Sequence, residues 1–356
     1  MAIKLKSGKM IELIDSSLPE IYAMTPHGDR FQVLCFLKLL QKLGVDCFEV
    51  NAKAFKELGS FAAGIKTLFR IQEPEDVEVF LASEAQEGIH RASILTEPLF
   101  DRLFWARKKI TLEIPCPGGV LEGESRLERL PLDKVHCLRL SGVSCLKEPD
   151  SMEKLLIKAR TLVPKVEVVA SDRLYMAGSI ALEACMNGVD RVGVTFGGYG
   201  QAGGYAPLEE LLVSLTVLGE AEGVCSLEEL PSMVKLYKSL SGYTISSKKP
   251  VIGSRIFRVE SGIHTDGIHK SPETYEPFSP EMVGLSREMV LGKHSGSRTI
   301  IMKLAERGIT CSREEAEAIL AQVRSLSIEY GRELSNDELE ALYRKLSGEE
   351  VLESHV

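Results

Sequence analysis

The sequence of 356 residues has no apolar run that approaches the roughly 20 residues a membrane-spanning helix needs. It has few aromatic residues, 6%, and its 43 Lys and Arg residues are outnumbered by 51 Asp and Glu residues. The net charge of −8 is opposite in sign to the basic surface with which proteins bind nucleic acid or anionic membranes. We therefore expect no nucleic-acid or membrane partner, and an anionic small substrate would need a local positive site.

The sequence also lacks paired cysteines: none of its eight cysteines forms a CxxC motif, and most lie among apolar residues. This pattern is typical of buried, reduced thiols and disfavours a zinc or disulfide framework. The amino terminus, MAIKLKSGKMIEL, lacks the long apolar core of a signal peptide. We therefore expect a cytoplasmic protein.

Short β-prone runs recur through the first two-thirds of the chain, and helix-like segments separate most of them. Such alternation favours a parallel sheet with right-handed crossovers, and eight runs fit a (β/α)8 TIM barrel, with an open doubly wound sheet as the alternative. The gap between the third and fourth runs is too short for a helix, which leaves one strand in doubt. The runs are Ile11–Ile14, Cys47–Val50, Lys66–Ile71, Val77–Ala82, Ile110–Ile114, His136–Leu140, Val166–Ala170 and Arg191–Phe196.

After Pro250 the composition changes, because residues 251–296 are rich in Gly, Ser, Pro and His and show little periodicity. A long segment of this kind usually wraps around or covers another part of a protein. Two helices follow, each announced by a capping-box pattern, Ser312 with Glu315 and Ser335 with Glu338. The predicted layout is a barrel domain over 1–250, a lid-like subdomain over 251–300 and a small helical subdomain over 301–356.

The lid-like segment VESGIHTDGIHKSPETYEPFSPEMVGLSREMVLGKHSG, residues 259–296, resembles the post-barrel region of homocitrate and isopropylmalate synthases. That family's pattern is roughly H-E-S-G-I-H-x-D-G, then T-Y-E, P-E-x-V-G and G-K-H-S-G. GGYGQAGGYAPLEELLVSL resembles the family's G-x-G-E-R-x-G-N-x-x-L-E-E segment, and IELIDSSLPE its opening D-T-T-L-R-D-G-E-Q signature. These enzymes condense acetyl-CoA with a 2-oxo acid in a metal-dependent reaction.

The departures from the family pattern fall on its metal site. The acidic ligand position falls on Glu20, the two histidines on Val169 and Ser171, and the asparagine on Tyr205, while the arginine before the acid falls on Pro19. Valine cannot bind a metal and serine is a weak replacement for imidazole, so we expect this chain to bind no metal or other cofactor of its own. The competing interpretations are a misalignment of the weakly matching middle section and a relocated metal site that uses His27, Asp29 or Asp172.

The lid motif keeps the groups that relatives contribute to a partner's barrel. By resemblance, the histidine of S-G-I-H is His264 and the tyrosine of T-Y-E is Tyr275. Imidazole and phenol suit proton transfer and oxyanion binding in this condensation. Glu260 and Asp266 are candidates to orient the imidazole. The first histidine of the family's motif falls on Val259, so the lid is not wholly retained.

A chain that keeps the lid residues but lacks the metal-site residues resembles the omega subunit of split, nitrogen-fixation-type homocitrate synthases. The resemblance implies a hetero-oligomer with a metal-bearing alpha-type subunit, which would hold Mg²⁺ or Mn²⁺ and 2-oxoglutarate while acetyl-CoA is the second substrate. A homodimer is the other possible assembly. The alternatives in function are an inert regulatory or scaffold homologue and a self-sufficient enzyme with an unrecognised metal arrangement.

Overall fold

The computed structural model of the protein describes residues 3–24, 29–58, 65–91, 96–121, 127, 130–148, 150–224 and 226–348. The chain forms two compact units, Met1–Ile252 and Gly253–Val356. The finer division at residues 250 and 300 stays a prediction.

The first unit contains a sheet of ten strands, eight of which close into a parallel barrel. In the barrel each strand pairs with the next along the chain, and β2 also pairs with β9. The strands are β1 (Ile3–Leu5), β2 (Met10–Asp15), β3 (Cys47–Asn51), β4 (Thr67–Ile71), β5 (Glu87–Arg91), β6 (Lys109–Pro115), β7 (Cys137–Val143), β8 (Val166–Ala170), β9 (Arg191–Val194) and β10 (Ala221–Glu222). The two outlying strands lie at one edge, where β1 is antiparallel to both β2 and β10. The predicted (β/α)8 barrel is confirmed.

Helices connect most of the barrel strands and cover their outer faces. Two of the helix-like segments that separate the β-prone runs, residues 31–44 and 172–188, indeed contain helices. Within its described residues the α-helices of this unit are α1 (Ser17–Met24), α2 (Arg30–Lys42), α3 (Ala52–Leu58), α4 (Asp76–Ala82), α5 (Glu97–Trp105), α6 (Ser151–Leu162), α7 (Ala177–Met186), α8 (Leu208–Val217) and α9 (Leu230–Ser241). Strands covered in this way are buried on both faces, as in β8, where every residue is buried.

The fourth predicted strand is wrong. Val77–Ala82 lies within helix α4, and the fourth barrel strand is β5. The two buried residues of α4, Val77 and Phe80, are three positions apart, which is helical spacing. The Asp76 carboxylate accepts the backbone N–H groups of Gln72 and Glu73 and so fixes the turn before α4. The true strand, EGIHR, was missed because its buried positions carry polar residues.

The second unit holds one nine-residue helix in the lid-like segment and three helices after it. They are α10 (Gly262–Lys270), α11 (Ser297–Ala305), α12 (Arg313–Tyr330) and α13 (Asn336–Ser347), with β11 (Arg258–Val259) parallel to β12 (Glu288–Met289). Both predicted capping boxes are present, at Ser312 with Glu315 and at Ser335 with Glu338. The last three helices share an apolar core that includes Ile300, Ile319 and Leu339. Helix α10 was not predicted.

The described part of the chain has no helix that is long and apolar enough to cross a membrane.

Candidate functional site

The second unit brings His264 and Tyr275 together. His264 lies in the first turn of α10, and Tyr275 follows the turn formed by residues 272–274. Their ring centroids are 5.2 Å apart and the ring planes meet at 50°. Both side chains are exposed, Tyr275 to 42%. An exposed imidazole beside an exposed phenol can act on a group outside this unit.

A missing side chain at Gly267 makes this arrangement possible. An ideal Cβ on Gly267 would lie 2.3 Å from Cε2 of the Tyr275 ring, so the ring occupies the space that any other residue there would need. The backbone N–H of Tyr275 donates to Pro272 O at 2.9 Å. The next residue, Glu276, accepts from the guanidinium of Arg287 at 2.8 Å. These contacts hold the tyrosine segment beside the helix.

Glu260 makes a different contact from the one expected of it. Its Oε1 accepts the backbone N–H of His294 at 2.7 Å, and its carboxylate lies directly over Gly292. The turn at 292–296 is further ordered by Gly292 N–H, which donates to Ser295 Oγ at 2.8 Å. The observed role of Glu260 is therefore to position this turn, and its predicted role in orienting His264 stays a prediction.

Three further lid positions complete the comparison with the expected motif. Val259, where the family has a histidine, lies in β11 opposite Met289. The side chains of Asp266 and His269 lie outside the described part of the chain, so the expectation that Asp266 orients the imidazole stays a prediction.

The first unit brings together the positions at which the family pattern places its metal. Glu20, Val169 and Tyr205 line one cavity of about 610 Å³ at the carboxyl ends of the strands. Pro19 lines the same cavity, and Ser171 forms an isolated β-bridge with Tyr205. The motif comparison, which rested on sequence alone, therefore identifies residues that are neighbours in space.

These side chains do not fit a divalent metal. Burial raises the pKa of Tyr205 to about 12, so its phenol stays protonated and is a poor ligand. The Val169 side chain packs over Gly193, where an ideal Cβ would lie 2.6 Å from Val169 Cγ2. Burial raises the pKa of Glu20, whose Oε2 accepts the backbone N–H of Gln201 at 3.1 Å. One carboxylate with aliphatic and phenolic neighbours is not a metal-binding donor set.

The relocated metal site that was the alternative finds no support in the described carboxylates. Asp29 caps α2 by accepting the N–H of Phe31 at 3.0 Å, and Asp172 accepts the N–H of Ala177 at 3.0 Å at the start of α7. His27 lies outside the described residues. No group of three or more His, Cys, Asp or Glu side chains within the described ranges could hold a metal.

The barrel interior contains a network of buried charges that the sequence analysis missed. Glu49 on β3 accepts hydrogen bonds from Arg70 on β4 and, at 2.7 Å, from Arg139 on β7. Arg70 also lies 3.3 Å from Glu113 on β6, and Arg139 lies 2.7 Å from Glu167 on β8. Arg139 and Glu167 are both fully buried. The available signal was a charged residue within each of five largely apolar strands.

The arginines determine the charge state of this network. Burial alone would raise the pKa of Glu49, but the guanidinium groups of Arg70 and Arg139 lower it to about 2. At Glu167 burial dominates, and its pKa is raised although Arg139 opposes the shift. The interior of the barrel is thus filled by paired side-chain charges just beneath the mouth.

Comparisons with known proteins agree with the motif analysis. Residues 251–330 match the family model described as "Homocitrate synthase post-HMGL domain-like". The homocitrate synthase omega subunit of Clostridium pasteurianum is 27% identical over 94% of this chain and 95% of that protein. The 2-isopropylmalate synthase of Halalkalibacterium halodurans is 35% identical over 86% of this chain and 67% of that protein.

A solved structure supports the fold at a lower level of identity. Hydroxymethylglutaryl-CoA lyase from Pseudomonas aeruginosa superposes with a TM-score of 0.54 and 13% identity, covering 66% of this chain and 94% of that one. At this identity the likeness shows the barrel fold alone. The identity and coverage shared with the Halalkalibacterium synthase, together with the post-barrel domain match, establish that this chain belongs to the homocitrate and isopropylmalate synthase family.

Proposed function

We propose that this chain is an omega-type subunit of a homocitrate synthase, which supplies His264 and Tyr275 to the active site of a metal-bearing, alpha-type partner. The partner would hold the divalent metal, Mg²⁺ or Mn²⁺, and 2-oxoglutarate. The chain by itself would be inactive, since its own barrel lacks the donor set for the metal.

The observation that carries this proposal is the contrast between the two units. In the second unit the imidazole and the phenol lie 5.2 Å apart between ring centroids and are exposed. In the first unit the family's metal positions hold Val169, Ser171 and Tyr205, and the interior beneath them is filled by ion pairs. Groups that act on a partner are retained, and groups that act within the chain's own barrel are replaced.

The chemistry fits the two retained groups. The methyl group of acetyl-CoA must lose a proton, the resulting carbanion forms a C–C bond with the keto carbon, and the carbonyl oxygen becomes an alkoxide that takes up a proton. Water then cleaves the thioester and releases CoA. His264, or a water that it polarises, can accept or return these protons, and the Tyr275 hydroxyl can donate to the developing oxyanion. The similarity to the Clostridium relative, which is named an omega subunit, also supports a divided enzyme.

A second candidate function is an inert scaffold that binds the enzyme without entering its site. Val259 favours it, because the first histidine of the family motif is absent and this position is taken up by strand pairing with Met289.

Reconstitution with a metal-bearing relative separates the two functions. CoA release from acetyl-CoA and 2-oxoglutarate, with Mg²⁺ or Mn²⁺, is measured for the chain alone, the partner alone and the mixture. We expect activity only in the mixture. His264→Ala and Tyr275→Phe should each lower turnover of the complex, the former by about 100-fold, as is typical for a lost acid–base group.

Tyr330→Phe is the matched control, since Tyr330 is an exposed tyrosine on α12 with 49% of its surface accessible. It should leave turnover unchanged. Full turnover of the His264→Ala and Tyr275→Phe complexes would support the scaffold instead, and strong CoA release by the isolated chain would refute a divided active site.

A further inference from the structure

The amino-terminal end of the barrel, opposite the mouth, has a cavity of about 410 Å³. Five cationic or titratable nitrogen side chains line it at the starts of neighbouring strands. Lys66 precedes β4, Lys109 begins β6, His136 precedes β7, Lys165 precedes β8 and Arg191 begins β9. A volume of this size is in the range of small-ligand sites.

Some of the charged side chains around this cavity are already held in ion pairs with one another. Glu12 is already paired, since its carboxylate lies 2.6 Å from Arg191, 3.0 Å from Lys165 and 3.8 Å from Lys66. The second carboxylate, Glu87, is 4% exposed and is paired with Arg191.

Lys109 is the cation left over. It is exposed, and no carboxylate in the described part of the chain lies within ion-pair distance of it. Glu84 also lines the cavity, so four permanent cations face three carboxylates in a protein whose net charge is −8. A local excess of positive charge at an open cavity attracts anions.

The excess of positive charge affects the pKa of the half-buried His136. Burial lowers its pKa, and the cations Lys109, Arg191 and Lys165 lower it further against the opposing effect of Glu87. Phe55 and Ile65 also line the cavity. The cavity thus combines cationic donors with apolar side chains.

We propose that this cavity is a binding site for a small oxyanion with two or more negative charges, a polycarboxylate or a phosphate compound, held by Lys66, Lys109, Lys165 and His136. Two protonated amines can each donate charge-assisted hydrogen bonds to such a ligand. The site lies at the end of the barrel opposite the family's metal positions, so its occupancy is a binding event and not a step of the reaction. It does not depend on the proposed omega-type function.

Calorimetric titration of the full chain with citrate and with inorganic phosphate, at ionic strength held constant with NaCl, tests this site. We expect one saturable site for at least one probe, and the tighter probe identifies a carboxylate or a phosphoryl ligand. Lys109→Gln should raise the Kd by about five- to tenfold, the effect of one partly exposed charge-assisted hydrogen bond. Lys38→Gln, which alters an exposed lysine on α2, is the control and should leave the Kd unchanged.

The imidazole resonances of His136 provide a second readout, since they should shift as either anion saturates the site. The absence of saturable binding overturns the proposal. So does binding that Lys109→Gln and Lys38→Gln weaken equally, or binding that leaves the His136 resonances unmoved.

Discussion

At the scale of single residues, Gly267 determines where the tyrosine ring can lie. Glycine usually weakens a helix, and alanine at such a position would by itself add about 0.5 to 1 kcal/mol of stability. Here the space beside Gly267 is filled by the Tyr275 ring, at 2.3 Å from an ideal Cβ. The absence of a side chain at Gly267 therefore permits the geometry of the His264–Tyr275 pair.

Gly267→Ala should displace the Tyr275 ring towards solvent. We expect turnover of the reconstituted complex to fall to the level of Tyr275→Phe, while the free energy of unfolding changes by less than about 1 kcal/mol because the ring is already partly exposed. Turnover assays and urea unfolding check this. Gly178→Ala in α7, where an ideal Cβ makes only ordinary contacts, is the control, and unaltered turnover in Gly267→Ala would contradict the assignment.

Because of the buried His90, we expect the free energy of unfolding to depend on pH. His90 is fully buried on β5, neither ring nitrogen has a hydrogen-bond partner among the described residues, and burial lowers its pKa to about 3. Because the fold requires neutral imidazole, this contribution to stability is complete above the unfolded pKa of about 6.5 and decreases as pH falls towards 3. The loss from this group amounts to about 2 kcal/mol by pH 5.

His90→Leu should remove that loss. Urea unfolding of both proteins at pH 5 and pH 7 measures the difference in their pH dependence, in which all other titrating groups cancel. If the difference in unfolding free energy between the two proteins is the same at pH 5 and at pH 7, the assignment of His90 as neutral and unpaired is contradicted.

At the scale of elements, the sequence predicts what local chemistry controls. Seven barrel strands and both capping boxes follow from apolar runs and from Ser-x-x-Glu spacing. The fourth barrel strand, β5, could not be predicted in this way, and α4 was taken for it. Glu87 and His90 are buried in β5 by tertiary contacts that local propensity does not contain. In the same way, the pairing of His264 with Tyr275 depends on a packing contact at Gly267.

The capping boxes of α12 and α13 are testable elements. Ser312 Oγ accepts from Glu315 N–H at 3.2 Å, and Ser335 Oγ accepts from Glu338 N–H at 3.1 Å. Ser312→Ala and Ser335→Ala should each lower the free energy of unfolding by about 1 kcal/mol. Chemical denaturation checks this, and Ser325→Ala in the middle of α12 should cause no loss. Equal effects at all three serines would indicate that capping contributes nothing here.

At the scale of the whole molecule, the stability of the barrel is sensitive to the loss of one partner from its buried charge network. Removing Arg139 would leave Glu167 without its cation in a fully buried position. Arg139→Met should lower the free energy of unfolding by about 3 to 5 kcal/mol, and a second change, Glu167→Gln, should restore part of it because no unpaired charge then remains there.

Thermal and urea unfolding measure these effects. Lys154→Met, which breaks an exposed pair with Asp150, is the control and should change stability by less than about 1 kcal/mol. A comparable loss in Lys154→Met, or a double variant less stable than Arg139→Met, would show that pairing inside the barrel is not what stabilises it.

The network also constrains how the barrel can be assembled. Its charges come from β3, β4, β6, β7 and β8. Two of its pairs join consecutive strands, but Arg139 on β7 also meets Glu49 on β3, and Arg70 on β4 meets Glu113 on β6. These two contacts form only after strands that are not consecutive in sequence have come together in the correct order. A sheet with missing or wrongly ordered strands would bury unpaired charges, which is strongly unfavourable. The network therefore destabilises incomplete barrels, and fragments that lack these strands should not persist as stable intermediates.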